Sequence, residues 1–250
     1  MSDPTGPEDR ADTARLKAIL LVCAALAFAV APLMSEPFTG WSPEDFPRDA
    51  LPQPLQPAGY AFSIWGVIYA WLVLHAGFGL IRRDTDEGWD AMRWPLFLSL
   101  AIGTGWIGVA LTSPIMATLF IFVMLVGAVV AMLRAPKSRD GWLTAGPVGL
   151  YAGWLTAAAS VAGATSLAGY SVITPDTASY LGLGVVILIG GTLATRHPPI
   201  TYYVALAWAL IGTAISNATS PQGDVVFTGA IVLALAGLLL AMIRQVRSEG

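Results

Sequence analysis

Charge is scarce in this chain. Of 250 residues, only 12% are Asp, Glu, Lys or Arg, against roughly 25% in a soluble globular domain. A deficit of that size excludes an ordinary water-soluble core and fits a chain whose solvent is mostly lipid. Cysteine is reduced to Cys23, inside an apolar run, so neither an intrachain disulfide nor a cysteine-based metal site can form. The two histidines, His75 and His197, are far apart. The sequence also lacks HExxH, GxxxxGK[ST], GxSxG and any repeated acidic pair. Hardly any ionisable residue falls at membrane depth, which argues against a proton-coupled pump, a charged-ring channel or an acid–base enzyme in the core. No catalytic residue, metal site or nucleic-acid partner is expected.

Apolar residues make up 56% of the chain, and mean hydropathy is +0.68. They cluster into runs that predict helices over about 18–33, 59–80, 94–111, 115–133, 142–167, 180–194, 200–216 and 225–243. The polar, acidic stretch 1–14 reads as a disordered tail. A basic flank before the short first run also fits a signal peptide. The polar tail ahead of it and Pro32 favour an uncleaved helix instead.

Basic residues test the helix count independently. Arg10, Arg15, Lys17, Arg82, Arg83, Arg93, Arg134, Lys137, Arg139, Arg196, Arg244 and Arg247 all fall on one side of an eight-helix path. Only Arg48 falls on the other. This is the positive-inside pattern. It predicts a multi-pass protein of the plasma membrane with both termini cytoplasmic and the proline-rich loop 36–57 external. The fold class expected is an all-α, polytopic membrane helix bundle of about eight spans.

Small residues four apart suggest close helix contacts in lipid: Gly66 and Ala70; Gly149, Gly153 and Ala157; Gly212 and Ser216. The second and fifth helices read as the central pair.

Aromatics carry the remaining signal. Trp41, Trp89, Trp94 and Trp142 sit at predicted helix ends, as an interfacial belt would. Phe62, Trp65 and Tyr69 are spaced by three and four and share one helix face. Trp71 points away from Tyr69, toward lipid. Tyr151 and Trp154 share a face of the fifth helix. Trp65, Trp106 and Trp154 fit either ordinary packing or a pocket for a planar ligand. A buried indole N–H needs a partner, and Thr104, Ser63 and Thr156 are within reach. His75 reads as a packing residue or, alternatively, a polar anchor or axial ligand. Trp41 and Phe38 could fold back from the long loop as a lid.

The stretch Pro57-Ala-Gly-Tyr60-Ala-Phe62-Ser-Ile-Trp65-Gly-Val-Ile-Tyr69 resembles the second-helix signature of the TspO/MBR family. These are the tryptophan-rich sensory proteins related to the translocator protein. Trp106 before Thr112-Ser113-Pro114, and Tyr151-Ala-Gly-Trp154 before an alanine-rich run, resemble the family's third and fifth helices. Ser99 and Gly103 stand where the family has Gln and Asn, and Ala162 stands near its later Asn. Order and spacing agree over about residues 15–167, with 168–245 as a three-helix extension.

The resemblance implies a five-helix unit enclosing a pocket under the 36–57 loop. Trp41, Tyr60, Phe62, Trp65, Tyr69, Trp106, Tyr151 and Trp154 would bind the ligand. It further implies a non-enzymatic sensory or binding role toward a planar hydrophobic molecule such as a tetrapyrrole. No cofactor is required, although a porphyrin or haem-type ligand is open, as is a homodimer in the bilayer. The alternative reading is a small-molecule transporter or permease.

Overall fold

The computed structural model describes residues 6–36, 38, 40–47, 56–136, 140–221 and 223–249. The architecture is helical, with no strand among the described residues. The eight α-helices are α1 (Pro7–Val30), α2 (Ile64–Arg82), α3 (Glu87–Ala110), α4 (Pro114–Arg134), α5 (Ala145–Gly169), α6 (Pro175–Ala194), α7 (Ile200–Thr219) and α8 (Val225–Glu249). A 3-10 turn, Gly59–Ser63, leads into α2.

Local chemistry explains the starts. Pro7, Pro114 and Pro175 occupy first helical positions, where a missing N–H costs nothing. Side chains of Asp86, Ser113 and Thr174 accept from the backbone N–H groups of Trp89, Met116 and Thr177, satisfying donors that a helix start leaves open.

Two expected boundaries are corrected. Residues 7–14, assigned to a disordered tail, form the first turns of α1. Glu8 and Asp9 lie in its first turn, where the helix dipole favours acids. Similarly, α3 begins seven residues before Trp94 and takes in Arg93. That arginine is not a loop residue but is 1% exposed. Its guanidinium donates to the carbonyls of Ala14, Arg83 and Asp84 at 3.1, 2.6 and 2.7 Å, and to Asp90 at 3.3 Å. One buried cation thus binds α1 to the α2–α3 link. Lys17–Asp90 and Arg15–Asp84 ion pairs, at 2.7 and 2.9 Å, lie beside it. The hydrogen bond from Arg15 holds the Asp84 carboxyl below its usual range.

Contacts assign the loops to two ends of the bundle. The α2–α3 link, the start of α1 and the α4–α5 link share one end, joined by Arg93 and by Arg83–Asp140 at 2.7 Å. Gln245 near the end of α8 donates to Pro198 O between α6 and α7. At the opposite end, Asn217 donates to Asp224 O and Thr228 across the α7–α8 turn.

Among the described residues, six helices are long and apolar enough to cross a membrane: α1, α2, α4, α6, α7 and α8. α3 and α5 are the exceptions. α3 carries charge in its first turns. α5 is rich in Gly, Ala, Ser and Thr, and all but a few of its residues are buried. It is enclosed by α4, α6 and α7, with α2 on its remaining side. A helix surrounded by protein needs no lipid-facing stripe.

The expected central pair is also corrected. The Gly149/Gly153 face of α5 takes α7, and α2 touches α5 only sparsely. At Gly149 the neighbours are Pro199 and Thr201; at Gly153 they are Tyr202 O and Ala205. Gly66 has open space around it, so the small face of α2 is not a seam. Gly212 of α7 does meet a partner: an added Cβ would lie 2.8 Å from Ala61 Cβ.

Two tryptophans sit elsewhere than expected. Trp89 is 1% exposed and stacks on His75 at 5.0 Å, so it is no belt residue. Trp71 does not face open lipid but packs on Trp142 at 4.5 Å and against Gly146. His75 is a packing residue of defined tautomer. Its Nδ1 is 2.6 Å from Leu143 O, which can only accept, so Nδ1 holds the proton.

Glycine contacts make a direct test. Gly153→Val forces a side chain into the α7 backbone and is expected to cost about 1–3 kcal/mol or more by overpacking. Gly66→Val, in open space, is expected to change little. Thermal unfolding of both variants in detergent checks the contrast.

Candidate functional site

Five elements converge beneath the residues that follow α1. The 3-10 turn supplies Phe62, α2 supplies Trp65 and Tyr69, α3 supplies Trp106, and α5 supplies Trp154. With Phe28 of α1 and Phe38 they line a cavity of about 330 Å³. A smaller space of about 80 Å³ adjoins it, lined by Trp41, Gln56 and Thr165 and sharing Phe62, Trp106 and Trp154 with the larger.

The rings fix one another. Trp65 and Tyr69 stack with centroids 5.3 Å apart and planes 15° from parallel, as residues one helical turn apart can. Phe28 meets Trp65 and Tyr69 edge-on at 5.9 and 5.0 Å. Trp154 meets Phe62 and Trp65 edge-on at 5.9 and 6.1 Å. Such edge-to-face pairs suit the ring quadrupoles and add about 0.5–1.5 kcal/mol each beyond burial.

The described part of the long loop lies over this space and is anchored at both sides. Trp41 donates its indole N–H to Ala110 O, at the end of α3, at 2.9 Å. Phe38 packs edge-on against Trp41 and Trp106 at 5.6 and 5.2 Å. Phe46 fills the hollow at Gly169 and meets Tyr170 at 5.4 Å. Residues 48–55 of the loop, with Arg48, lie outside the described residues.

α7 holds the turn that carries Phe62. Trp208 donates to Ala61 O at 2.8 Å, and Ala58 N donates to Gly212 O at 3.0 Å. The C-terminal helices therefore position one wall of the cavity.

Of the eight residues expected at the site, Trp41, Phe62, Trp65, Tyr69, Trp106 and Trp154 line the two spaces. Tyr60 and Tyr151 are not among the lining residues. Tyr60 is exposed and edge-on to Trp208 at 5.8 Å. Tyr151 is fully buried behind Phe28 and Trp65, with its hydroxyl 2.9 Å from Ser99 Oγ. Ser99 in turn donates to Met124 O at 2.7 Å. Ser99 thus joins α3, α4 and α5. At Gly103 an added Cβ would lie 2.5 Å from the Phe28 ring, which fills the space that a side chain there would need.

The expected indole partners are also replaced. Trp106 donates to Ala117 O at 2.9 Å, while Thr104 and Thr156 bond their own helices at Leu100 and Ala152. The Trp154 N–H is buried with no partner. Sequence reasoning missed Phe28, Ile121, Met124 and Glu36. None shows a local pattern: Phe28, Ile121 and Met124 are placed by packing between helices, and Glu36 by the course of the chain after α1. Glu36 is the one charged side chain among the described residues lining the larger space. No group of three or more His, Cys, Asp or Glu able to hold a metal occurs among the described residues.

A helical bundle with several membrane spans, enclosing an aromatic cavity with one charged side chain among its described lining residues, defines a polytopic membrane protein. The chain belongs to the TSPO-like protein family, whose model matches residues 17–243. It is accordingly a membrane sensory and binding protein in the general sense of that family. The matched span includes α6 and α7 and most of α8. No curated protein and no solved structure compared with the chain matches it.

Ser99 and Tyr151 give a stability test of the wall behind the cavity. Ser99→Ala leaves the Tyr151 hydroxyl without this partner and is expected to cost about 1–3 kcal/mol. Adding Tyr151→Phe removes the stranded hydroxyl and should recover part of that loss. Denaturant unfolding of the two singles and the double measures the coupling.

Proposed function

We propose that this protein binds a planar hydrophobic ligand, such as a tetrapyrrole, in the cavity between α1 and α5 and under the Trp41 loop. The observation that carries this reading is the convergence of Phe62, Trp65, Tyr69, Trp106 and Trp154 on one space of about 330 Å³. Binding pockets for such ligands are mostly apolar, about 300–1,000 Å³, with few polar groups. Flat rings can stack on the indoles while apolar burial supplies affinity. The role is binding and sensing rather than catalysis, because the cavity wall has no nucleophile–base or acid–base pair among its described residues.

Glu36 refines the choice of ligand. Glu36 is exposed at the mouth of the larger space, and with no base among the described residues around it, a ligand carboxylate at that side meets like charge rather than a partner. Neutral or esterified macrocycles are therefore favoured over free dicarboxylates. In the same reading the protein resides in the plasma membrane with both termini cytoplasmic. The supporting contacts group the start of α1 with the α2–α3 and α4–α5 links, where basic residues are concentrated.

Titration of detergent-purified protein with protoporphyrin IX and with its dimethyl ester, read by tryptophan quenching, checks both points. Saturable quenching by the ester is expected, with weaker binding of the free acid. Glu36→Gln should narrow the difference. Trp65→Phe and Trp154→Ala should each weaken binding several-fold. Non-saturating quenching, or quenching unaltered in those variants, would remove the cavity from consideration.

A further inference from the structure

A second recess lies near the opposite end of the bundle, between the α4–α5 and α6–α7 links. Its volume is about 640 Å³, and Trp71, Trp142, Arg196, His197, Thr201 and Gln245 are among its walls. It shares no lining residue with the aromatic cavity.

The recess owes its depth to where α6 and α7 meet. Thr201 donates to Gly146 O at 2.7 Å, and a Cβ on Gly146 would lie 3.0 Å from the Trp71 ring. The start of α7 is therefore level with Trp71, roughly 16 Å along α2 from Arg82 at 1.5 Å per residue. The end of α4 and the α4–α5 link extend past that level, as Arg83 pairs with Asp140 at 2.7 Å. Arg196, in the α6–α7 link that precedes Thr201, is on the wall of this recess, whereas Arg82 and Arg83 at the end of α2 are not among its lining residues.

The charge in this recess is one-sided. Arg196 is exposed, and no acidic side chain is among the described lining residues. Asp140, the nearby acid in the α4–α5 link, is engaged by Arg83. The neutral polar groups are committed to the walls. Gln245 Nε2 donates to Pro198 O at 2.9 Å, and its Oε1 accepts from Tyr203 at 3.1 Å. The Trp71 indole N–H is the exception, buried and without a partner. The rim is apolar yet uncovered: Leu133, Trp142 and Ile200 are 49%, 70% and 47% exposed.

We propose that this recess binds the phosphate headgroup of an anionic phospholipid. Arg196 pairs with the phosphate oxygens, for which a guanidinium fork is well shaped. The acyl chains lie along Leu133, Trp142 and Ile200, and an indole at that depth suits the headgroup boundary. A basic recess between helices that is also rimmed by exposed apolar side chains fits a lipid better than a soluble anion. A free phosphate ester would use the arginine and leave the rim uncovered. This site does not depend on the cavity reading.

Native mass spectrometry of the full chain, released from nanodiscs of mixed phosphatidylglycerol and phosphatidylcholine, tests the assignment. One phosphatidylglycerol should be retained at about tenfold higher occupancy than phosphatidylcholine. Arg196→Gln should reduce that preference at least fivefold, Arg196→Lys should keep most of it, and Arg82→Gln should leave it intact. Equal retention of the two lipids, or an unchanged preference in Arg196→Gln, would overturn the proposal. So would displacement of the retained lipid by millimolar glycerol 1-phosphate, which would reassign the recess to a soluble phosphate ester.

Discussion

Close backbone approach along α5 is the constraint on which the bundle rests. In lipid there is little hydrophobic drive between helices, so association depends on van der Waals contact and interhelical hydrogen bonds. α5 meets that requirement with Gly149 and Gly153, which let α7 come against its backbone. Thr118 and Ser166 add a hydroxyl pair at 2.7 Å between α4 and α5. Thr156 and Tyr202 add another at 3.2 Å between α5 and α7. With α5 held on several sides, Trp154 has a fixed position and can serve as a wall for Phe62 and Trp65.

The aromatic cavity is therefore a product of the whole bundle. α1 brings Phe28, α2 brings the stacked Trp65 and Tyr69, and α3 brings Trp106. α7 supplies no ring to the cavity but fixes the Gly59–Ser63 turn through Trp208 and Gly212. A division of the chain into a five-helix unit and an appended three-helix extension does not describe this arrangement, because α5 and α7 share an interface. The wall is built of interlocking rings and carries one charged side chain, Glu36, among its described residues. For the proposed ligand, selection in such a space would rest on shape and on the cost of stripping water from its polar groups.

Much of this was legible in the sequence. Eight apolar runs and the one-sided distribution of Arg and Lys give eight helices, because both signals are local or additive. The spacing of Phe62, Trp65 and Tyr69 gives one face of the cavity for the same reason. The starts of α1 and α3 were hidden, since their polar first turns are supported from across the fold. Arg93 reads as a loop cation until its carbonyl acceptors on α1 and the α2–α3 link are known. Phe28 and Glu36 carry no periodic signal and become part of the wall only when helices pack. The pairing of α5 with α7 rather than α2 was likewise invisible, because α2, α5 and α7 all carry small residues four apart, and spacing does not show that Gly149, Gly153 and Gly212 meet a close neighbour while Gly66 faces open space.

The enclosure of α5 also bears on the order in which the chain is assembled. A segment of Gly, Ala, Ser and Thr enters lipid less readily than the helices on either side, and it gains its stability from neighbours. α4 is already synthesised when α5 emerges, but α6 and α7 are not. Until α7 arrives, the Gly149/Gly153 face and the Thr156 hydroxyl lack their partners. Closure of the core around α5 therefore depends on the C-terminal helices, which cover the Gly149/Gly153 face and pair with Thr156.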